Sequence, residues 1–209
     1  MEAKLEVSVI SPVFNEKENL KTFVDSVAKV MRSTGMSWEL IIVDDGSDDG
    51  SADTIKELIN QENTRCLLLS KNYGQTTAIQ AGFDKAVGKY FVTLDSDLQN
   101  DPKDIPALLD KLIKEELDLV VGWRKNRKDN YFLRNLPSSI ANKLIGNITG
   151  VKLHDYGCSL KAFKKEILDD VKLYGELHRF LPVLAKFEGA KIKEIKVNHR
   201  SRKYGSSKY

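Results

Sequence analysis

The sequence has few cysteines and no long apolar run. These two absences argue against a disulfide-rich secreted protein and against a membrane-spanning one. Only Cys66 and Cys158 occur in 209 residues, too few for the disulfide framework of a small secreted protein. Cys66 lies in an apolar run, which favours a buried thiol in a reducing compartment. Neither a stretch of about eighteen apolar residues nor a signal-peptide pattern is present. We therefore expect a reduced, cytosolic chain without a membrane-spanning helix.

Acidic and basic residues nearly balance. Charged residues make up 30% of the chain, and the formal net charge is +3. A nucleic-acid binder would be expected to carry a dense basic stripe, so this class is not favoured. The mild basic excess is compatible with a face that approaches an anionic lipid surface. The apolar fraction of 41% is ordinary for one globular domain.

Strand and helix signals alternate through the first half, which is typical of a doubly wound sheet. Strands are predicted at 5–11, 38–43, 65–69, 90–94 and 117–121, and helices at 17–33, from a Ser51 N-cap, at 76–86 and from Pro102. Farther on, the pattern predicts a polar loop at 125–135, helices at 136–148 and 177–187, a strand at 190–197 and a charged loop at 198–209. The prediction is an α/β fold with a mostly parallel, Rossmann-like sheet and helices on both faces.

Three predicted strands end in polar or acidic clusters. The clusters are Pro12-Val13-Phe14-Asn15-Glu16, Asp44-Asp45-Gly46-Ser47 and Asp95-Ser96-Asp97-Leu98-Gln99. Ligands bind at the carboxyl ends of strands in open α/β sheets. An isolated Asp-X-Asp would favour a simple turn, but here two close carboxylates call for a cation between them. Asp95 and Asp97 are the predicted ligands of Mg²⁺ or Mn²⁺ shared with substrate phosphates, and Gln99 is a further candidate.

In this order, Pro-x-x-Asn-Glu, Val-Asp-Asp-Gly-Ser and Asp-Ser-Asp-Leu-Gln resemble the GT-A glycosyltransferases of family 2. The later segments 122–124, 154–159, 178–180 and 202–208 resemble the branch that loads a sugar onto a polyprenyl phosphate, the dolichyl-phosphate mannose synthase and undecaprenyl-phosphate glucosyltransferase type. The resemblance covers nearly the whole chain. It implies one GT-A catalytic domain over 1–209, with a nucleotide-sugar-binding half at 1–122 and an acceptor-binding half with a mobile C-terminal loop at 123–209.

The resemblance also implies an activity. It is the metal-dependent, inverting transfer of a hexose from a nucleotide-sugar of the UDP-glucose or GDP-mannose type to undecaprenyl or dolichyl phosphate. Segments 98–102 and 174–179 look more like the bacterial undecaprenyl-phosphate enzymes and favour UDP-glucose. The implied location is the cytoplasmic face of a membrane, and an oligomer stays open. Enzymes of this branch continue into membrane helices or an amphipathic tail, so we expect a catalytic domain without those segments.

The implied site residues form three overlapping sets. The donor set is Pro12, Phe14, Glu16, Val43, Asp45, Ser96, Arg124, Arg202 and Lys208, with Asp45 facing the nucleobase. The acceptor phosphate set is Arg124, Arg134, Ser138 and Arg202. The catalytic set is Asp95, Asp97, Arg124 and Asp155. Arginine suits the phosphate-binding positions because its planar fork matches phosphate geometry.

The role of Asp155 is left open by the sequence. A family 2 enzyme that acts on a sugar hydroxyl needs a carboxylate general base, and Asp155 is the candidate. A lipid phosphate needs no base, because its second pKa of roughly 6 leaves it mostly dianionic at neutral pH. Asp155 would then position substrate. A non-catalytic nucleotide-sugar-binding module is a further alternative, against which the acidic pair with Arg124 and Arg202 argues.

Overall fold

The computed structural model describes residues 5–59, 63–125, 146, 148–168 and 171–202. Within these ranges seven strands form one sheet in the order β3-β2-β1-β4-β6-β5-β7. The strands are β1 (Val7–Val13), β2 (Trp38–Asp44), β3 (Thr64–Leu68), β4 (Tyr90–Thr93), β5 (Leu119–Trp123), β6 (Lys161–Lys164) and β7 (Ile192–Lys196). The α-helices are α1 (Lys17–Thr34), α2 (Ser51–Leu58), α3 (Gln75–Lys85), α4 (Ile105–Lys114) and α5 (Leu181–Phe187).

The sheet is mostly parallel, as predicted, with one strand reversed. Parallel pairing joins β3 to β2, β2 to β1, β1 to β4, and β5 to β7. Strand β6 lies between β4 and β5 and is antiparallel to both. The sequence analysis did not predict β6, because a four-residue strand with lysine at each end carries almost no periodic signal.

Helices cover both faces of the sheet and enclose two apolar cores. One core lies under α1, α2 and α4, where Phe23, Ile55 and Leu108 are buried against the strands. The other lies under α3 and α5 and contains Phe83, Phe91 and Phe163, whose ring centroids lie 5.5 to 6.0 Å apart. Every residue of β1 and β2 is buried, as expected for central parallel strands that are apolar on both faces.

Two local predictions were wrong. Helix α2 begins at Ser51 rather than after it, and the cap position belongs to Gly50 at φ 89°. The buried Ser51 hydroxyl instead accepts a hydrogen bond from the Glu16 amide at 3.1 Å and so ties α1 to this loop. Cys66 is half-buried rather than buried, because β3 is the outermost strand of the sheet.

Two of the elements predicted in the second half are present among the described residues. Residues 177–187 form a 3-10 turn, Leu177–Phe180, that runs into α5, and β7 lies inside the strand predicted at 190–197. The helix predicted at 136–148 lies almost wholly outside the described residues. None of the helices described combines the length and the apolar character needed to cross a bilayer.

Candidate active site

The carboxyl ends of β1, β2 and β4 meet at one edge of the sheet, which we call the acidic edge. Val13 lies opposite Asp44 in the parallel register of β1 and β2. The Asp45 amide donates to the Val13 carbonyl at 2.7 Å, and β4 ends two residues before Asp95. The acidic clusters after the three strands therefore converge, as the strand-end pattern predicts.

Asp95 and Asp97 differ in their surroundings. Asp95 is partly exposed, and its Oδ1 accepts a hydrogen bond from the Gln75 side-chain amide at 2.7 Å. Asp97 is 6% exposed. Its Oδ1 accepts from the Gln99 backbone amide at 3.0 Å, and its Oδ2 accepts from Arg202 at 2.7 Å. One carboxylate thus faces solvent while its neighbour is held by the protein.

The buried carboxylate is electrostatically strained. Burial, and next the nearby Asp95 carboxylate, raise the pKa of Asp97 to about 7, with a smaller contribution from Glu16. The Gln99 amide and Arg202 act in the opposite direction without cancelling this effect. The part of this rise that comes from Asp95 and Glu16 is the part that a bound cation would relieve.

Arg202 reaches the acidic edge because the preceding tail segment is anchored beside the loop that follows β4. Asn100 and His199 form an antiparallel bridge, and the Arg200 amide donates to the Gln99 carbonyl at 2.8 Å. The Asn198 amide and side chain both donate to Asp104, at 2.7 and 2.8 Å. Four residues after Asn198, the Arg202 guanidinium reaches the acidic edge.

Arg202 bridges two acidic clusters. One of its nitrogens donates to Glu16 at 2.6 Å and another to Asp97 at 2.7 Å. The second Glu16 oxygen accepts from the Asn19 side chain at 2.6 Å. A charged side chain from the end of the described chain therefore joins the first and third acidic clusters, although Glu16 and Arg202 are far apart in sequence.

Asp45 is fully buried and binds the turn before α3. Its two oxygens accept from the backbone amides of Tyr73 and Gly74, at 2.8 and 2.9 Å. That turn positions Gln75, whose side-chain amide donates to Asp95. The sequence analysis predicted a helix at 76–86 and gave no chemistry to the turn before it, and so missed Gln75. The available signal was its position directly after a glycine turn at the acidic edge. A role for Asp45 at the nucleobase stays a prediction.

Arg124 and Asp155 form a two-pronged pair beside the acidic edge. Arg124 Nε lies 2.7 Å from Asp155 Oδ2, and a terminal nitrogen lies 2.9 Å from Oδ1. Both side chains are largely buried. Burial alone would lower the pKa of Arg124, but the hydrogen bonds and charge of Asp155 raise it, with a smaller contribution from Asp95. The guanidinium is therefore a permanent cation in a fixed orientation.

The other predicted site residues fall into two groups. Pro12, Val43 and Ser96 are buried at the acidic edge, where the Ser96 hydroxyl donates to the Pro12 carbonyl at 3.3 Å, and Phe14 is half-buried. Arg134, Ser138 and Lys208 lie outside the described residues. The phosphate-binding roles given to them stay predictions, as do the donor roles of the first group.

The acidic edge suits a divalent cation that arrives with its substrate. Among the described residues, no three His, Cys, Asp or Glu side chains are grouped as a complete ligand set. Mg²⁺ usually takes one or two carboxylates and completes its shell with water and substrate phosphates. Asp95 and Asp97 provide that number of carboxylates, and a cation between them would offset the repulsion that helps to raise the pKa of Asp97. The residues present fit such an ion.

Comparison with known families decides the classification. The family described as Glycosyl transferase family 2 matches residues 8–172, which include β1 to β6 and the acidic edge. The chain belongs to glycosyl transferase family 2. The resemblance inferred from the motifs is thereby confirmed at the level of the family.

Two curated relatives of this family 2 chain act on lipid phosphates according to their names. The dodecaprenyl-phosphate galacturonate synthase of Rhizobium johnstonii is 51% identical over 98% of this chain and 62% of its own length. The undecaprenyl-phosphate 4-deoxy-4-formamido-L-arabinose transferase of Proteus mirabilis is 41% identical over 97% of this chain and 62% of its own length. The chain thus spans less than two thirds of each relative.

Solved structures of low sequence identity share the fold. Glucosyl-3-phosphoglycerate synthase from Mycobacterium tuberculosis, in complex with Mn²⁺, UDP and glucosyl-3-phosphoglycerate, aligns with a TM-score of 0.75 at 18% identity, over 97% of this chain and 73% of its own. The mannosyltransferase PcManGT from Pyrobaculum calidifontis, in complex with GDP-Man and Mn²⁺, aligns at 0.69 and 17% identity, over 93% and 56%. The GT-A fold of this family 2 chain is confirmed.

Proposed function

We propose that this chain transfers a sugar from a nucleotide-sugar to a polyprenyl phosphate, by single displacement with inversion at the anomeric carbon. The observation that carries the proposal is the convergence of Asp95, Asp97, Arg124 and Arg202 at the acidic edge. This set pairs carboxylates for a cation with guanidinium groups for phosphate. The names of the relatives, which specify dodecaprenyl and undecaprenyl phosphate, support the acceptor class.

The donor diphosphate would lie against Asp95 and Asp97. These carboxylates would hold Mg²⁺ or Mn²⁺, which when bound offsets the charge that develops on the leaving nucleoside diphosphate. The Mn²⁺ in the two solved neighbours supports a divalent ion. Arg202, held in place by Glu16 and Asp97, adds a cation that can turn toward a phosphate without leaving the site.

The attacking group would be the acceptor phosphate, which is mostly dianionic at neutral pH and requires no base. The chain would then contribute mainly by positioning, through Arg124 and Arg202. Asp155 supports this role, because both of its oxygens accept hydrogen bonds from Arg124. A proton transferred to Asp155 would have to compete with these hydrogen bonds. The geometry therefore favours a phosphate acceptor over a sugar hydroxyl activated by Asp155.

The acceptor class has a consequence for location. A polyprenyl phosphate is anchored in a bilayer, so Arg124 and Arg202 must approach a membrane surface. We propose the cytoplasmic face, where the water-soluble donor would be met. The likeness to relatives does not select the sugar, because galacturonate and a formamido-arabinose appear in two different names.

The direct test is donor and acceptor titration of the purified chain. UDP-sugars and GDP-sugars are titrated calorimetrically with and without Mn²⁺, and transfer is then followed with a short-chain polyprenyl phosphate. We expect Mn²⁺-dependent binding of one nucleotide class and transfer to the lipid phosphate. Transfer to a free sugar hydroxyl, with none to the lipid phosphate, would overturn the acceptor assignment. Donor binding that is unaffected by Mn²⁺ would overturn the metal assignment.

A further inference from the structure

A buried lysine lies beside the acidic edge with its hydrogen-bonding capacity mostly unused. Lys161 opens β6, is 3% exposed, and lies opposite Thr93 in the register with β4. In the described part of the chain its ammonium has one hydrogen-bond partner, the carbonyl of Cys158. An ammonium has three donors, so two are available to a ligand.

This arrangement is costly for the protein alone. Burial of a charged group without a paired counter-charge is unfavourable, and no carboxylate within the described ranges forms an ion pair with Lys161. Burial lowers the pKa of Lys161 most, Cys158 and Asp155 act in the opposite direction without cancelling this effect, and Arg124 adds a smaller lowering. A methionine would fill the same space without this cost. We therefore expect the Lys161 charge to have a function.

Lys161 lines a small cavity that opens at the acidic edge. Most of its lining surface is apolar, and the polar residues that reach it are Thr93, Asp95, Ser159, Lys161 and His178. The cavity measures about 20 Å³, which accommodates one or two water-sized groups rather than a sugar ring. A donor whose diphosphate lies against Asp95 can therefore reach Lys161 only with one small substituent.

The nature of that substituent follows from the charges around it. His178 adds no positive charge, because burial, then Lys161 and Arg179, lower its pKa to about 3. Its Nδ1 lies 2.5 Å from the Thr76 hydroxyl, which orients the ring. Arg124 is already paired with Asp155. Among the described residues, Lys161 is therefore the cation at this cavity that forms no ion pair, and a carboxylate satisfies it better than a neutral hydroxyl.

We propose that the donor sugar carries a carboxylate, as in a hexuronic acid, and that Lys161 is the residue that selects it. The inference rests on the proposed function only in placing the donor sugar at the acidic edge. It does not depend on the acceptor. Asp95 is the acidic residue in the cavity lining. One of its carboxylate oxygens accepts a hydrogen bond from the Gln75 side-chain amide.

The experiment compares donors that differ only in oxidation at C6. UDP-glucuronate is paired with UDP-glucose, UDP-galacturonate with UDP-galactose, and GDP-mannuronate with GDP-mannose, each titrated with Mn²⁺ against the intact chain. The variants are Lys161→Met, which keeps the length and removes the charge, and Lys161→Arg, which keeps the charge. Lys164→Met is the matched control, because Lys164 ends the same strand at the opposite edge and pairs with Asp118. Thermal unfolding confirms that each variant is folded.

The wild type is expected to bind one uronate roughly 10- to 100-fold more tightly than its neutral partner, the range of a hydrogen bond to a charged group. Lys161→Met should lose most of that preference while its binding of the neutral sugar changes less than about threefold. Lys161→Arg should keep part of the preference, and Lys164→Met all of it.

The outcomes separate this inference from the proposed function. Equal binding of uronate and neutral donors by the wild type would overturn the inference without any variant. Equal loss of both donors in a folded Lys161→Met would show a purely structural lysine and overturn it too. Uronate selection in binding without transfer to a polyprenyl phosphate would leave the inference standing and remove the proposed acceptor.

Discussion

Most charged side chains at the acidic edge form ion pairs, whereas Asp95 is hydrogen-bonded to a neutral amide. Arg124 neutralises Asp155, and Arg202 is shared between Glu16 and Asp97. Asp95 receives a neutral amide rather than a cation. Substitutions here should therefore separate into those that remove excess negative charge and those that break a pair.

Asp97→Asn is expected to abolish transfer and to weaken Mn²⁺-dependent donor binding, while the fold is kept. The amide can still accept from the Gln99 backbone, and the lost charge is one that Asp95 and Glu16 already oppose. Donor titration across Mn²⁺ concentrations and thermal unfolding measure the two effects. Asp53→Asn, at an exposed position on α2, is the matched control. Near-normal transfer by Asp97→Asn at low Mn²⁺ would remove the metal assignment.

Asp155→Asn separates the two candidate acceptors. With a phosphate acceptor the variant should retain turnover, and the rate should fall as the pH drops below roughly 6, where the acceptor phosphate becomes protonated. Loss of a general base would instead cost about 10²–10⁴-fold at every pH. Because Arg124 loses its paired charge, a stability loss on the order of 3 kcal/mol is also expected. Rates are therefore measured below the unfolding range, with a short-chain polyprenyl phosphate across pH.

Among the structural elements, the long apolar strands were predictable and the short reversed one was not. Strands β1, β2 and β4 were predicted to within two residues, because fully buried parallel strands read as continuous apolar runs. Asp95 and Asp97 follow from the same pattern. Lys161 was missed because a single lysine before Ala162 and Phe163 does not indicate which strands will lie on either side of β6 in the sheet. The contact of Arg202 with Glu16 depends on the tail path, which no local pattern encodes.

In the tail segment 198–202, Asn198 attaches the chain to Asp104 and Arg202 contacts the acidic edge, so the two roles can be tested by separate substitutions. Arg202→Ala is expected to weaken donor binding and use of the lipid phosphate by about 2–5 kcal/mol, the usual cost of losing a charged contact in a shielded site. Asn198→Ala removes only the side-chain hydrogen bond to Asp104 and keeps the one from the backbone amide, so about 0.5–1.5 kcal/mol is expected. Steady-state constants for both substrates measure the effects, with the exposed Lys114→Ala as the surface-charge control. Unchanged constants in Arg202→Ala would contradict the role of the tail.

For the whole molecule, the half-buried His178 links stability to pH. His178 joins the turn before α5 to α3 through Thr76, and burial lowers its pKa to about 3. The unfolded chain binds this proton near its ordinary value of about 6.5, whereas the folded chain does not. The contribution of neutral His178 is therefore fully present above about pH 6.5 and is lost as the pH falls toward 3.

His178→Gln should flatten the acid side of the stability profile. Between roughly pH 6.5 and 4 the wild type is expected to lose up to about 1.4 kcal/mol per pH unit more than the variant, because only the wild type gains a proton at this site on unfolding. Urea unfolding at several pH values measures the difference. His154→Gln is the comparison at an exposed histidine, which stacks on Trp123 and pairs with Glu194. Parallel profiles for wild type and His178→Gln would contradict the burial argument.

The reversed direction of β6 changes which loops can tune this enzyme. In β1, β2 and β4 the chain reaches the acidic edge at the end of each strand, so the loop that follows carries the site. Because β6 is antiparallel to β4 and β5, its first residue lies there instead, and the segment that precedes it brings Asp155 and Ser159. Sequence exchange between relatives at 154–160 should thus alter substrate choice, whereas exchange at 165–168, beyond the far end of β6, should leave it untouched.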